Sequence, residues 1–250
     1  MRFKDKVALI TGAGSGIGRA AALAFAEAGA KVVVSDVNED GGKATVAQIK
    51  QAGGTAFFRR CNVTSYRAVV ELVDETVSTY GRLDIALNNA GIGGSRVPTS
   101  SYELAEWDQV IGVNQTGVFY CMREELKVMS KQGSGCVVNV SSIAGMRALP
   151  MTIAYTASKH AVIGMTKTAA LEYARYGIRV NAVCPVFTET PMVEALVGEQ
   201  KELADKLVKT IPMRRFGQVE DIVNAIFWLC DDKSSFVTGQ SLAIDGGQTA

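Results

Sequence analysis

Two side chains four residues apart, Tyr155 and Lys159, carry the clearest chemical signal in this 250-residue chain. On a helix that spacing places both on one face, one above the other. No other tyrosine in the chain has a lysine at this offset. An ammonium beside a phenol favours the phenolate and draws its pKa down from about 10 toward working pH. A tyrosine tuned in this way can protonate a carbonyl oxygen or deprotonate an alcohol. Ser142 lies thirteen residues before Tyr155, just past an apolar run, where its hydroxyl could hold the oxygen of a reacting group. Ser141 has the same chemistry, and spacing does not choose between them. Asn114 interrupts a long helical pattern in which Asn is a poor helix former. It reads either as an exposed polar position or as a local break that holds a water for proton relay.

A second group of residues is suited to a phosphate. Val7–Ile10 runs into Thr11-Gly12-Ala13-Gly14-Ser15-Gly16-Ile17-Gly18 and then into a helical pattern. Gly12 allows a tight turn, Gly16 lets backbone approach a ligand, and Gly18 lets the helix pack close to the strand. The helix N-terminus then offers free N–H groups and partial positive charge to a pyrophosphate. Asp36 follows at the end of the next apolar run, eighteen residues past Gly18. A carboxylate there can accept hydrogen bonds from both hydroxyls of an adenosine ribose and would repel a 2′-phosphate, which favours NAD over NADP. Ser15 and Val37 are not basic, and Arg19 is the nearest cation.

These residues need a scaffold, and the hydrophobic pattern supplies one. Short β-branched runs at Val7–Ile10, Val32–Val34, Thr55–Phe58, Leu83–Leu87, Cys136–Val140, Ile178–Val183 and Ser241–Ile244 predict strands. Their continuous apolar character suits parallel strands covered on both faces. Helical patterns fall between them at Gly18–Gly29, Glu39–Ala52, Ser65–Tyr80, Tyr102–Gln132, Ala154–Tyr176 and Val219–Cys230. Ser65 is placed to cap its helix, with Val69, Val73 and Val77 on one face. The alternation predicts an α/β fold: one doubly wound parallel sheet of about seven strands with helices on both faces, occupying 1–250 as a single domain. Ligands bind such sheets at the carboxyl ends of the strands, where strand order reverses. Within 186–216, two prolines and the charged run Glu199–Lys209 predict a mobile flap over a substrate.

Composition excludes other classes. Apolar residues make up 48% and charged residues 20%, the balance of a globular protein. A net charge of +1 offers no general attraction to nucleic acid or anionic lipid. No apolar stretch approaches the roughly 18 residues of a membrane span, and the N-terminal apolar run is too short for a signal peptide. The five cysteines form no CxxC pair. They suggest neither a zinc site nor a disulfide framework, and reduced core thiols in a cytoplasmic protein are expected. His160 is the only histidine. With no partner motif and no GxSxG elbow, a hydrolase is excluded and His160 is expected on a helix surface. No metal is expected.

Taken together, Thr11-Gly-x3-Gly-x-Gly18, Asn88-Asn-Ala-Gly91, Asn114, Ser142 and Tyr155-x3-Lys159 resemble the short-chain dehydrogenases/reductases, the subgroup of about this length. The resemblance runs through Thr238-Gly-Gln240 and Asp245-Gly-Gly247. It implies an NAD-dependent oxidoreductase that moves hydride between the cofactor and a secondary alcohol or ketone. Tyr155 would be the general acid/base, and Lys159 would lower its pKa and hold the nicotinamide ribose. Ser142 would polarise the substrate oxygen and Asn114 would anchor a water relay. Cofactor contacts are implied at Gly12, Ser15, Gly16, Ile17, Gly18, Asp36, Val37, Asn62, Val63, Asn89, Ala90, Gly91, Pro185, Thr188 and Thr190, beside Tyr155 and Lys159. Asn62 would meet adenine through its amide oxygen. Gly94, Met146, Val186 and Met192 would line the substrate pocket with Ser142 and Tyr155. Pro185-Val186 stands where the family usually has Pro-Gly; Val186 cannot easily take a positive φ and would crowd the nicotinamide end. A homotetramer is the family habit. An intact Ser, Tyr and Lys set argues against a non-catalytic NAD-binding redox sensor. An epimerase or dehydratase of this fold would need a longer C-terminal substrate region.

Overall fold

The computed structural model describes residues 1–198 and 200–250. Seven parallel strands form one sheet in the order β3-β2-β1-β4-β5-β6-β7. They are β1 (Val7–Thr11), β2 (Lys31–Asp36), β3 (Thr55–Arg60), β4 (Ile85–Asn88), β5 (Gly135–Val140), β6 (Ile178–Pro185) and β7 (Ser241–Ile244). The chain winds outward from β1 to β3, then returns to β4 on the other side of β1. The carboxyl ends of β1 and β4 therefore bound the switch point where a crevice opens.

Helices cover both faces, as the strand patterns require. They are α1 (Gly16–Glu27), α2 (Glu39–Gln51), α3 (Tyr66–Tyr80), α4 (Leu104–Ile111), α5 (Val118–Gln132), α6 (Ile153–Tyr173), α7 (Pro191–Val197), α8 (Lys201–Lys209) and α9 (Val219–Cys230). Side chains alternate across each strand, so β1 serves two cores. Ala8 and Ile10 pack with Phe25 of α1 and Ile226 of α9. Leu9, between them, packs with Leu72 of α3, Met129 of α5 and Val162 of α6. Ser65 caps α3 by accepting from the Ala68 N–H, and Val69 and Val73 are buried beneath it.

The boundaries depart from expectation where tertiary contacts decide them. α1 begins at Gly16 rather than Gly18. β6 continues to Pro185 because its last residues pair with β7, Pro185 against Ile244. The long helix expected over Tyr102–Gln132 is α4 and α5 joined by a π-helical turn, Gly112–Gly117. Gly117 lets the turn rest on Val63: a Cβ there would stand 2.7 Å from Val63 Cγ2. α6 ends at Tyr173 and tightens into a 3₁₀ turn, Ala174–Tyr176. The segment over which a flap is expected carries α7 and α8; the first residue of its charged run, Glu199, lies outside the described residues.

A buried polar chain holds β4 and β5 in register beneath the crevice. Asn88 Nδ2 donates to Glu125 Oε2 and to Asn139 Oδ1, both at 3.0 Å, and Asn139 Nδ2 donates to Thr166 Oγ1 at 2.9 Å. Among the described residues no cation faces Glu125, and burial pushes its carboxyl up to about 7 against the help of the Asn88 amide. Between pH 4.5 and 7 the folded chain thus keeps a proton that the unfolded chain has lost, so stability falls as pH rises through that window. Glu125→Gln removes this slope. Urea unfolding at pH 5 and pH 8 is expected to show the variant gaining, relative to wild type, on the order of 1–3 kcal/mol at the higher pH. A pH-independent difference would show that the carboxyl ionises as freely in the fold as outside it.

Candidate active site

A cleft of about 1380 Å³ opens along the carboxyl ends of the central strands. At its floor the chain turns from β1 into α1. Gly12 has φ +64°, and a Cβ there would meet Ala90 Cα at 2.8 Å, so the turn needs glycine. Gly18 lies behind the cleft rather than in it: a Cβ would sit 2.2 Å from the Gly12 carbonyl oxygen. Asn89 braces the same turn, its Nδ2 donating to the carbonyls of Thr11 and Gly12 at 3.0 Å. The Thr11 hydroxyl accepts from the N–H groups of Asn89 and Ala90. Ser15 is the N-cap of α1, yet its side chain makes no capping bond. The first-turn amides of Gly16 and Ile17 therefore keep their positive end for a ligand.

Asp36 stands at one end of this cradle. Its Oδ2 accepts from the Gly14 N–H at 2.8 Å and its Oδ1 from the Asn38 N–H at 2.9 Å, which leaves each oxygen a free lone pair. Gly14 must be small, because a Cβ would stand 2.8 Å from Asp36 Oδ2. Arg19 is turned away: its guanidinium binds the carbonyls of Gly14 and Gly41 and the Thr45 hydroxyl. A second cation, Arg60, also lies at this end, donating to the Val37 carbonyl at 3.3 Å. Its neighbourhood comes from the pairing of Asp36 with Arg60 across β2 and β3. Val37 and Val63 line the cleft. Asn62 does too, with a correction. Its amide oxygen already accepts from the Thr64 N–H and hydroxyl, so the group left for a ligand is the Nδ2 donor, not the expected acceptor.

The other end of the cleft gathers Ser142, Tyr155 and Lys159. Lys159 is fixed at both ends to the tip of β5. Its Nζ donates to the Val140 carbonyl at 2.8 Å, and its own carbonyl accepts from the Ser141 hydroxyl at 2.9 Å. The geometry thereby separates the two serines. Ser141 is tied to α6, while Ser142 Oγ accepts from the Ala144 N–H and faces the Tyr155 phenol. Gly145 must be small because a Cβ would stand 2.6 Å from the Lys159 carbonyl oxygen. Asn114, fully buried in the π-helical turn, accepts from the Ile92 N–H at 2.8 Å, donates to the Ile92 carbonyl at 2.9 Å and reaches Ser158 Oγ at 3.3 Å. The reading of Asn114 as an exposed polar position is thereby overturned. It stands behind the cleft, near Lys159: a Cβ on Gly91 would meet Asn114 Oδ1 at 3.3 Å and Lys159 Nζ at 3.6 Å.

The electrostatics correct one expectation. Burial raises the Tyr155 phenol above its ordinary value, and the Ser142 hydroxyl opposes that rise without cancelling it. Burial also lowers the Lys159 amine to about 8. The amine sits 5.6 Å from the centroid of the Tyr155 ring and donates to a carbonyl rather than to the phenol. Desolvation drives both groups toward neutrality, and the predicted fall in the phenol's pKa is not seen.

Gly94, Val186 and Met192 line the cleft with Pro185, Thr188 and Thr190. Met146 does not: it is 42% exposed, because the 3₁₀ turn Ile143–Gly145 carries it outward. Ile143, Leu149 and Thr152 take the wall instead. Thr152 lies one turn before Tyr155, a spacing that could have revealed it. Val186 needs no positive φ. Its side chain packs with Ile143 and Ile211, against Phe187 and Phe216. Thr188 is buried and bonds the Val186 carbonyl, and Thr190 caps α7. His160 is on the surface of α6.

Comparison with known proteins agrees with this geometry. Residues 12–249 match a family model described as enoyl-(acyl carrier protein) reductase. An uncharacterised oxidoreductase of Thermotoga maritima is 44% identical over 256 residues, covering 100% of both chains. Levodione reductase of Leifsonia aquatica is 39% identical, covering 100% of this chain and 96% of its own. A solved structure of levodione reductase has a TM-score of 0.97 at 38% identity, covering 99% of this chain and 98% of that one. NAD+-bound xylitol dehydrogenase has a TM-score of 0.94 at 36% identity, covering 99% and 100%. With the whole chain matched and the strand order, glycine turn and Tyr-Lys pair in place, the protein belongs to the short-chain dehydrogenase/reductase family of oxidoreductases.

Proposed function

We propose that the protein is an NAD-dependent dehydrogenase or reductase acting on a secondary alcohol or ketone, with Tyr155 as general acid/base. The observation that carries this reading is one continuous cleft. It has a glycine cradle and Asp36 at one end, and Ser142, Tyr155 and Lys159 at the other. The residues fit a dinucleotide. The uncapped first turn of α1 and the close backbone at Gly12 and Gly16 suit a pyrophosphate, and the two free lone pairs of Asp36 suit a ribose diol. Gly91, Ala90 and Asn89 flank its path, with Ile17, Val37, Asn62 and Val63 toward the adenosine and Pro185, Thr188 and Thr190 toward the other end.

When bound, the nicotinamide supplies a hydride acceptor or donor. The protein supplies the rest. Ser142 Oγ holds the substrate oxygen against Tyr155, whose hydroxyl oxygen takes the alcohol proton or returns it to the carbonyl. Lys159 Nζ, already aimed across the cleft floor by Val140, holds a ribose hydroxyl and favours the phenolate when charged. Asn114, fixed by Ile92, anchors a water behind Lys159 through which the proton leaves. The apolar wall of Ile143, Leu149, Val186, Phe187, Met192 and Leu196 suits a neutral substrate, and the segment 186–216 closes over it as a flap. The names levodione reductase and xylitol dehydrogenase among the relatives accord with a small uncharged substrate. A homotetramer in the cytoplasm is the assembly and compartment proposed.

Tyr155→Phe is expected to keep NAD affinity and lose about 10²–10⁴ in turnover with a panel of secondary alcohols. NADH absorbance would follow turnover and cofactor titration would follow binding. Near-normal turnover would remove Tyr155 from the chemistry. A second outcome concerns the cofactor. Asp36→Ala is expected to weaken NAD and shift the NAD-to-NADP preference toward NADP by about tenfold or more, as repulsion of a 2′-phosphate disappears. Kinetics with the two cofactors measure it, and an unchanged preference would show that Asp36 does not face the ribose.

A further inference from the structure

At the amino-terminal edge of the sheet, opposite the active-site cleft, a separate cavity of about 600 Å³ opens to solvent. Two cysteines form part of its wall. Cys136 is the second residue of β5 and Cys230 the last of α9, and their sulfurs are 4.0 Å apart. Both are only 4–5% exposed, so a reagent reaches them through the cavity. Arg179, on β6, borders the same cavity, with its guanidinium held by the carbonyls of Leu229, Asp231 and Val237. We propose that Cys136 and Cys230 form a reversible, peroxide-sensitive dithiol whose disulfide clips β5 to α9.

The chemistry is favoured at this pair over the other thiols. A thiolate is the reactive species. The Cys136 thiol is held below its ordinary value by the neighbouring Cys230 thiol and by the Arg179 cation, despite burial. Cys230 is raised correspondingly. Burial pushes Cys61 and Cys184 up to about 11 and Cys121 well above its ordinary value, which makes each of them inert. The Cys136 thiolate attacks one oxygen of hydrogen peroxide. It becomes a sulfenic acid as the O–O bond breaks and the released hydroxide takes a proton to form water. The Cys230 sulfur then attacks the sulfenic sulfur, and the hydroxyl leaves with the Cys230 proton as a second water. In sum, two thiols and one peroxide give one disulfide and two waters. Closing from 4.0 Å to a bond of about 2.05 Å asks each sulfur to swing roughly 1 Å. The cleft lies at the far ends of the same strands.

The test uses the full chain, reduced and freed of reductant, then exposed to a small molar excess of hydrogen peroxide. Thiols titrated after denaturation are expected to fall from the five of the sequence to three. A peptide map should show the Cys136 and Cys230 peptides joined with the loss of two hydrogens, and dithiothreitol should restore all the thiols. Cys136→Ser should keep its four remaining thiols at the same dose, whereas Cys230→Ser should form no link and stop at the sulfenic acid of Cys136. Should either fail to fold, the map of the wild-type chain decides alone. In the wild-type chain, survival of all the thiols, oxygen addition to either sulfur without the link, or a link through any other cysteine would overturn the proposal.

Discussion

Lys159 is the fastening on which the site depends. Its amine binds the last carbonyl of β5 and its own carbonyl receives the Ser141 hydroxyl, so the second turn of α6 is tied at two points to the end of a central strand. That fastening sets where Tyr155 can stand, one turn earlier on the same face. It also turns Ser142, rather than Ser141, toward the phenol. Parallel pairing makes β1, β4, β5 and β6 end at one edge of the sheet. The glycine cradle and the Tyr-Lys pair therefore meet in one crevice although more than a hundred residues separate them. The glycines that cannot carry a side chain, Gly12, Gly14, Gly18 and Gly145, mark the places where backbone, carboxylate or helix crowd against that edge.

The same burial that positions the pair also works against its charges. Lys159 is 4% exposed, and burial is the leading influence on both groups, disfavouring the ammonium and the phenolate alike. Burial therefore raises the phenol and lowers the amine to about 8. A simple picture in which the lysine alone sharpens the tyrosine is insufficient. The hydroxyl of Ser142 pulls the phenol back toward its ordinary range.

What the sequence discloses and what it hides divide along physical lines. The glycine turn, the cap at Ser65, the alternating strands and the Tyr155/Lys159 spacing are local, and each is visible because neighbours in sequence remain neighbours in space. The break at Asn114 is announced only by a poor helix former, and its π-helical form is set by tertiary contacts, with Asn114 bonding both backbone groups of Ile92 and Gly117 resting on Val63. Asn62 is misread as well. A two-residue turn to Thr64 occupies its amide oxygen, and residue type alone does not reveal that. Met146 is apolar and close in sequence to Ser142, yet a short 3₁₀ turn throws it outward. Val186 looks obstructive on the page and is accommodated by an apolar pocket of its own. The contact between Cys136 and Cys230 joins residues 94 positions apart, beyond any periodic signal.

The central claim is that the glycine cradle and the Tyr155/Lys159 pair serve one extended dinucleotide. The most direct measurement is a crystal structure of the protein soaked with NAD. The account predicts diphosphate density at the first turn of α1, ribose oxygens on Asp36, and the nicotinamide ring between Thr188 and Tyr155, with Lys159 on its ribose. A dinucleotide lying elsewhere, or one whose ring points away from Tyr155 and Lys159, would contradict it.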